Sequence, residues 1–534
     1  MIKNKKDFKI LLVYPNLPLM LVPPLSMAIF TKLLKKEGYK VDLFDTTAYI
    51  PPETNSSPQN RTLYLQARDF NDEDDLGVTT KTNLYSDYRD RVIKYKPDLI
   101  IYSIVEDAFI KALNMMDAIK DYDCVKISGG VLPTADPYYI LEKEQINFIA
   151  VGEGEITLVK VAEAVRKDKD LTSVHGTYYK DANSKIYKNP KNKLVDINNS
   201  IPDFSLFDPR RFYRPMGGKI FKTIPIETYR GCPYLCTFCN SPMHNTQTKQ
   251  EELAHSFLRR KTIENVRKEI LDLKHLYSPE FLYFVDDSFL ARPRKEIFDF
   301  CDMYEEFKIP FWFNTRPENC KPEYLKRLKE IGSYRISFGV ECGNPDFRQK
   351  VLKRKPTNSE IIRSFKDIMS SGIAFSVNLI IGFPGETREL VMETVELVKQ
   401  IKGYDTITVS IFTPYRGTVL QKVAVKNGWL DKNHVTIHTT SSSVLRMPKP
   451  YLSSKDIDGL MRTLPLLVYF PKSDWKNIRK AEEDNEEGIK LYKHFSKIYK
   501  DNFLKSNQES QKILYDQSKT QEQTSPTLMA EKFP

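Results

Sequence analysis

The residues best suited to chemistry stand together in Tyr229-Arg230-Gly231-Cys232-Pro233-Tyr234-Leu235-Cys236-Thr237-Phe238-Cys239-Asn240. Cys232, Cys236 and Cys239 follow a C-x3-C-x2-C spacing on one loop, so three thiolates can take three corners of a cubane [4Fe–4S] cluster and leave the fourth iron open to a ligand. Zinc, the competing reading, normally takes paired ligands in two knuckles; no second pair and no His-x3-His completes one, and His244 is the only close histidine. The remaining four of the seven cysteines, Cys124, Cys301, Cys320 and Cys342, are scattered and read as small buried hydrophobes. So few cysteines in 534 residues make no disulfide framework, and the clustering of three of them favours metal binding in a reducing compartment.

The elements around this loop read as α/β. Strand signals at Lys9–Tyr14, Lys40–Phe44, Asp98–Ile104, Val125–Ser128 and Phe148–Val151 alternate with helical ones, as in Ser26–Tyr39 with Ile29, Phe30, Leu33 and Leu34 at helical spacing. That alternation predicts an N-terminal doubly wound, Rossmann-like parallel sheet. Ligands of such sheets lie beyond the carboxyl ends of the strands, here at Gly129-Gly130 and Gly152-Glu153-Gly154-Glu155. Glycine there lets backbone approach a bulky ligand; tight strand-to-helix turns are the plainer alternative. Pro51–Asp90 reads as an insertion, and Gly176–Pro190 as a hairpin turning at Asp181–Ser184 before an irregular connector.

A second series of six strands, Ile224–Tyr229, Phe281–Val285, Pro310–Asn314, Tyr334–Val340, Phe375–Ile381 and Thr406–Phe412, predicts a partial (β/α)6 barrel with its chemistry at the carboxyl ends. Mainly helical sequence follows through Ser454–Tyr469 and Trp475–Phe503, and the Gln- and Ser-rich end reads as disordered. The expected divisions are 1–175, 176–215 as hairpin and linker, 216–430, 431–505 and a tail at 506–534. The net charge of +11 is spread along the chain, with no arm, finger or aromatic-basic stripe of the kind that reads nucleic acid. The N-terminal residues show no signal-peptide pattern and no apolar run reaches the ~18 residues that span a bilayer, so the sequence predicts a soluble, cytoplasmic enzyme.

The cysteine spacing, on the loop after the first strand of a partial barrel and with an aromatic before the last cysteine, resembles the radical S-adenosylmethionine (SAM) superfamily. That resemblance implies that the open iron chelates SAM and that its reductive cleavage releases a 5′-deoxyadenosyl radical. It also implies roles by position: Asp286 and Asp287 near the methionine ammonium, Phe238 near the adenine, Glu341 on the ribose, and Ile380 in the Ile380–Thr387 loop beside the adenine. Ser337 and Arg316 have strand positions suited to the SAM carboxylate or substrate; capping of the next helix is the alternative for the two aspartates.

The order of doubly wound domain and then barrel is similar to the cobalamin-binding class of that superfamily, with Gly129, Gly130, Gly152 and Gly154 in comparable runs. Two departures stand out. No Asp-x-His-x-x-Gly occurs, and Val131-Leu132 replaces the Pro-His often found after the glycine pair. The resemblance implies methylation of an unactivated carbon or phosphorus through methylcobalamin, with a small-molecule substrate and a reducing partner such as flavodoxin or ferredoxin. A radical cyclase or rearrangement catalyst of the same class and a non-catalytic iron–sulfur protein remain the alternatives.

Overall fold

The structure is a computed structural model that describes residues 3–50, 63–67, 79–436 and 442–504. The tail at 506–534 and most of the Pro51–Asp90 insertion lie outside the described residues.

The N-terminal sheet has the order β2-β1-β3-β4-β5-β6-β7. Its strands are β1 Lys9–Tyr14, β2 Lys40–Asp45, β3 Leu99–Ser103, β4 Val125–Gly129, β5 Phe148–Ala150, β6 Thr177–Lys180 and β7 Ile186–Lys188. The first five are parallel, in the doubly wound order 2-1-3-4-5. Runs such as Ile10–Val13 and Leu99–Tyr102 are buried throughout because helices cover both faces of this sheet. The predicted hairpin forms as β6 and β7, and β6 pairs antiparallel with β5 (Phe148 opposite Tyr179), so it extends the sheet at its edge.

The second sheet has the order β16-β15-β14-β13-β12-β9-β8. It comprises β8 Tyr213–Met216, β9 Lys219–Ile226, β12 Phe281–Phe284, β13 Phe311–Thr315, β14 Ser333–Glu341, β15 Ala374–Ile381 and β16 Thr406–Ile411; β10 Tyr229–Arg230 and β11 Arg259–Arg260 form a separate ribbon. Six strands are parallel, β8 is an antiparallel edge, and the two ends do not pair, so the barrel stays open. Burial alternates along β13: Phe311 and Phe313 lie under helices, while Trp312 and Asn314 turn to the inner face.

The C-terminal helix Ser454–Tyr469 starts with a capping box between Ser453 and Asp456 and seats Ile457 against Gly382, in the loop after β15. The predicted helical stretch Trp475–Phe503 forms the helices Trp475–Lys480 and Glu486–Tyr499 and a final turn at Lys500–Leu504. The break falls where the Asn485 side chain accepts the Gly488 N–H at 2.9 Å and starts a new helix. No helix among the described residues is long and apolar enough to cross a membrane.

Candidate active site

The cysteine loop leaves β9 under tight control. Thr228 N and Tyr229 N donate to Asp286 Oδ1 at 2.7 and 3.0 Å, and Arg292 Nη2 donates to Asp286 Oδ2 at 2.6 Å. Asp286 is 2% exposed, so its carboxylate is committed to the loop's take-off. It does not cap the next helix, the alternative reading of its position, because that helix begins only at Arg294. Gly231 follows with φ +98°, where a Cβ would stand 2.9 Å from Phe257 O, so only glycine fits ahead of Cys232. Beyond the thiols, Thr237 Oγ1 donates to Val351 O at 2.8 Å and Leu420 N donates to Thr237 O at 3.0 Å, fastening the loop to the rest of the barrel.

Cys232 and Cys236 are half-buried and Cys239 is exposed. Desolvation pushes the Cys232 thiol up to about 11, and the Asp287 carboxylate and Cys236 push in the same direction. Asp287, Cys236 and Cys232 also act on Cys239, so the three thiols and one carboxylate face a common space. A metal centre there must displace a proton from Cys232 at neutral pH and supplies the positive charge that does so. Among the described residues no three His, Cys, Asp or Glu side chains form a set that could hold a metal ion. A cubane asks for less convergence, since each thiolate binds its own iron, and three thiols on one short loop with no fourth protein donor fit it.

The other predicted residues separate into those at this space and those away from it. Asp287 Oδ2 accepts from Ser241 Oγ at 3.3 Å, just beyond Cys239. The Phe238 ring packs on Phe383 at 5.6 Å between centroids, which places it against the loop that follows Ile380 at the end of β15. Glu341 ends β14 with φ +66°, at a register shift, and Arg354 Nη1 donates to its Oε1 at 3.0 Å while Arg354 Nη2 holds Gly339 O at 2.6 Å. Ser337 lies mid-strand instead of at the strand end, and its hydroxyl oxygen accepts from Trp312 Nε1 at 2.8 Å and from Ser376 Oγ at 3.1 Å.

The four glycines of the N-terminal sheet differ in what surrounds them. A Cβ on Gly130 (φ +113°) would meet Ile104 O at 2.6 Å, on Gly154 the Phe30 ring at 2.6 Å, on Gly129 the Ala150 Cβ at 3.4 Å, and on Gly152 (φ +85°) the Lys191 stem at 3.6 Å. Gly130 and Gly154 therefore admit another part of the protein, while a Cβ at Gly129 or Gly152 would make ordinary contact. What stands bare at the same edge is apolar: Met20 after β1, Val105 after β3 and Val131 after β4 are 46%, 37% and 43% exposed. Leu235 of the cysteine loop, at 63%, is bare as well.

Two clusters that the sequence reading missed turn the carboxyl edges of the two sheets toward each other. Arg230, next to the cysteine motif, donates to Glu153 and Glu155 at 2.9 and 2.7 Å and grips Glu227 through Nε and Nη2 at 2.9 and 3.0 Å. Arg259 joins Glu153 from β11. The Gly152–Glu155 turn is thus a clasp onto the cysteine loop. On the other side, Arg416 N donates to Glu106 at 2.8 Å, its guanidinium reaches Asp136 at 2.9 Å and covers the Tyr139 ring at 3.5 Å, and Tyr415 OH donates to Asp107 at 2.9 Å. Asn240 Nδ2 donates to Arg416 O at 2.9 Å, so this clasp also ends on the cysteine loop. Removing a partner from such a half-buried ionic set strands the others, at about 3–5 kcal/mol. Arg230→Gln is accordingly expected to lower the unfolding midpoint in urea and to expose the 190–200 connector to limited proteolysis; an unchanged midpoint would show that the clasp contributes nothing.

Comparison with known proteins bears on this arrangement. Residues 226–398 match the family model of the Radical SAM superfamily. An uncharacterized methyltransferase of Pyrococcus horikoshii is 27% identical over 402 residues, covering 74% of this chain and 83% of the relative. The anaerobic magnesium-protoporphyrin IX monomethyl ester cyclase of Rubrivivax gelatinosus is 22% identical over 367 residues, 66% of this chain and 63% of the cyclase. Among solved structures, the radical SAM methyltransferase TsrM of Kitasatospora setae, with cobalamin and a [4Fe–4S] cluster bound, superposes with a TM-score of 0.61 at 15% identity, covering 94% of this chain and 99% of that one. The matched segment runs from the end of β9 through the thiol loop, Glu341 and the β15 loop, and the fold before and after it follows the same two-sheet plan: residues 226–398 form a domain that matches the Radical SAM superfamily, and the chain as a whole has the fold of TsrM.

Proposed function

We propose that this enzyme methylates a small molecule at an unactivated carbon or phosphorus centre, using SAM at a [4Fe–4S] cluster together with cobalamin. One observation carries the reading. The carboxyl edges of the two sheets are clasped face to face, with the thiols on one side and the bare apolar Met20, Val105 and Val131 on the other. Bound there, the cluster supplies reductive cleavage of SAM to a 5′-deoxyadenosyl radical, and cobalamin supplies a transferable methyl group.

The protein's own part is to hold and to exclude. Cys232, Cys236 and Cys239 hold three irons, and Asp287 offers its carboxylate to the SAM ammonium beside them. Glu341 accepts from the ribose hydroxyls, with Arg354 keeping its carboxylate aimed. Phe238 and Ile380 bound the adenine, and the apolar edge gives a corrin ring a dry seat. In this reading the functional divisions are a corrinoid-binding part to about residue 175, a barrel from about 216 to 430, and helices beyond it that close the substrate side. Flavodoxin- or ferredoxin-class donors suit the single electron that each cleavage needs.

Similarity to the Rubrivivax cyclase supports a second reading, radical cyclisation on the same scaffold. Anaerobic reconstitution with iron, sulfide and hydroxocobalamin separates the two by products. Methylation yields S-adenosylhomocysteine together with 5′-deoxyadenosine, whereas cyclisation yields 5′-deoxyadenosine without it. Absence of both would sink both readings. Glu341→Ala is expected to weaken SAM binding at least tenfold in equilibrium dialysis, since each hydrogen bond to a charged acceptor contributes about 1.5–3 kcal/mol and tenfold is about 1.4 kcal/mol. An unchanged dissociation constant would remove Glu341 from the site.

A further inference from the structure

Arg316, just past the end of β13, is 8% exposed and points its guanidinium at the cysteine loop. Its Nη2 donates to Cys236 Sγ at 2.7 Å. The group is braced from sides that do not depend on the thiol. Its guanidinium carbon lies 3.4 Å from the centre of the Tyr234 ring, and that ring is fixed in turn by its hydroxyl, which donates to Asn319 Oδ1 at 2.6 Å. Glu318 Oε1 accepts from Arg316 Nη1 at 3.4 Å. Arg316 also acts across the space on Glu341, where its charge opposes the rise that burial imposes on that carboxyl.

We propose that Arg316 sets the reduction potential of the cluster by donating a charge-assisted N–H···S hydrogen bond to the Cys236 thiolate. The proposal rests on the reading of the three cysteines as cluster ligands. Its physics is electrostatic: one-electron reduction adds a negative charge to the cluster, and a fixed cation one hydrogen bond away stabilises the reduced form more than the oxidised one. In a site this enclosed the interaction is little screened. A planar, permanently charged fork held against an aromatic ring suits the task better than a lysine, whose ammonium is mobile and more strongly hydrated. The assignment also places Arg316 apart from the SAM carboxylate, the role its strand position alone suggests.

The test uses full-length protein with its cluster reconstituted, titrated with a europium(II) chelate in the absence of SAM and followed by the electron paramagnetic resonance signal of the reduced cluster. Arg316→Gln should move the midpoint potential to a more negative value with four irons still bound, and Arg316→Lys should fall between the two. If Arg316→Gln holds no cluster, Arg316→Lys carries the test alone, with a smaller negative shift expected. An unchanged midpoint together with a weakened SAM dissociation constant would overturn the proposal and return Arg316 to the SAM carboxylate. An unchanged midpoint with unchanged SAM binding would overturn it as well. Failure of the wild-type protein to hold four irons would instead sink the cluster reading, so the two failures are told apart.

Discussion

Replacement of Cys232, Cys236 or Cys239 by Ala is expected to reduce 5′-deoxyadenosine formation below detection, while Cys124→Ala and Cys301→Ala retain it. The expectation follows from site geometry. The three thiols share one loop whose entry is set by Asp286 and Gly231 and whose exit is set by Thr237 and Asn240, so each has a fixed place in the set. Cys301, Cys320 and Cys342 are buried, and Cys301 belongs to the core of the helix Arg294–Tyr304. Iron content is the second readout: wild-type protein should hold four irons per chain after reconstitution, and each single variant of the triad should lose the electron paramagnetic resonance signal of the reduced four-iron cluster. SAM cleavage by a Cys236→Ala variant at the wild-type rate would end the case for a cluster on this loop.

Val131→Trp is expected to abolish retention of hydroxocobalamin through gel filtration while leaving iron content and unfolding midpoint near those of the wild type. Val131 is 43% exposed directly after Gly130, beside Val105 on the neighbouring strand end, so an indole there projects into the proposed corrinoid seat. Gly130→Trp would be a poorer probe, because a Cβ at that position already meets Ile104 O at 2.6 Å and damages the sheet before it meets any ligand. The next residue, Leu132, carries a spectroscopic expectation. No histidine precedes His175 in the chain, and an aliphatic side chain stands where the class often has one. Bound cob(II)alamin should therefore show no nitrogen hyperfine coupling from a protein imidazole. Retention by Val131→Trp equal to that of wild type would move the corrinoid seat elsewhere or remove it.

The cysteine triad, the two strand series and the order of the two sheets were legible in the sequence because each depends on local information. Thiol spacing on one loop decides what a cluster can use. Strand runs such as Ile10–Val13 are apolar throughout because both faces are covered, and β13 alternates because one face lines an open barrel. Glu341 and Asp287 stand out as candidates for a related reason, since strand-end position in a parallel barrel already says which side chains reach the mouth.

What the tertiary structure decided was the partner of each polar group. Asp286 and Asp287 are adjacent and alike in sequence, yet one is locked beneath Thr228, Tyr229 and Arg292 and the other faces the thiols, because successive side chains leave a strand end in opposite directions. Arg230 pairs with Glu153 and Glu155 across some 75 residues of chain, and Arg416 with Glu106 across 310, separations at which no periodicity carries information. The glycines show the same limit from the other side. A sequence reveals that a position tolerates no side chain; only the packed structure reveals whether the space is kept for a ligand or, as at Gly130 and Gly154, is filled by Ile104 and Phe30.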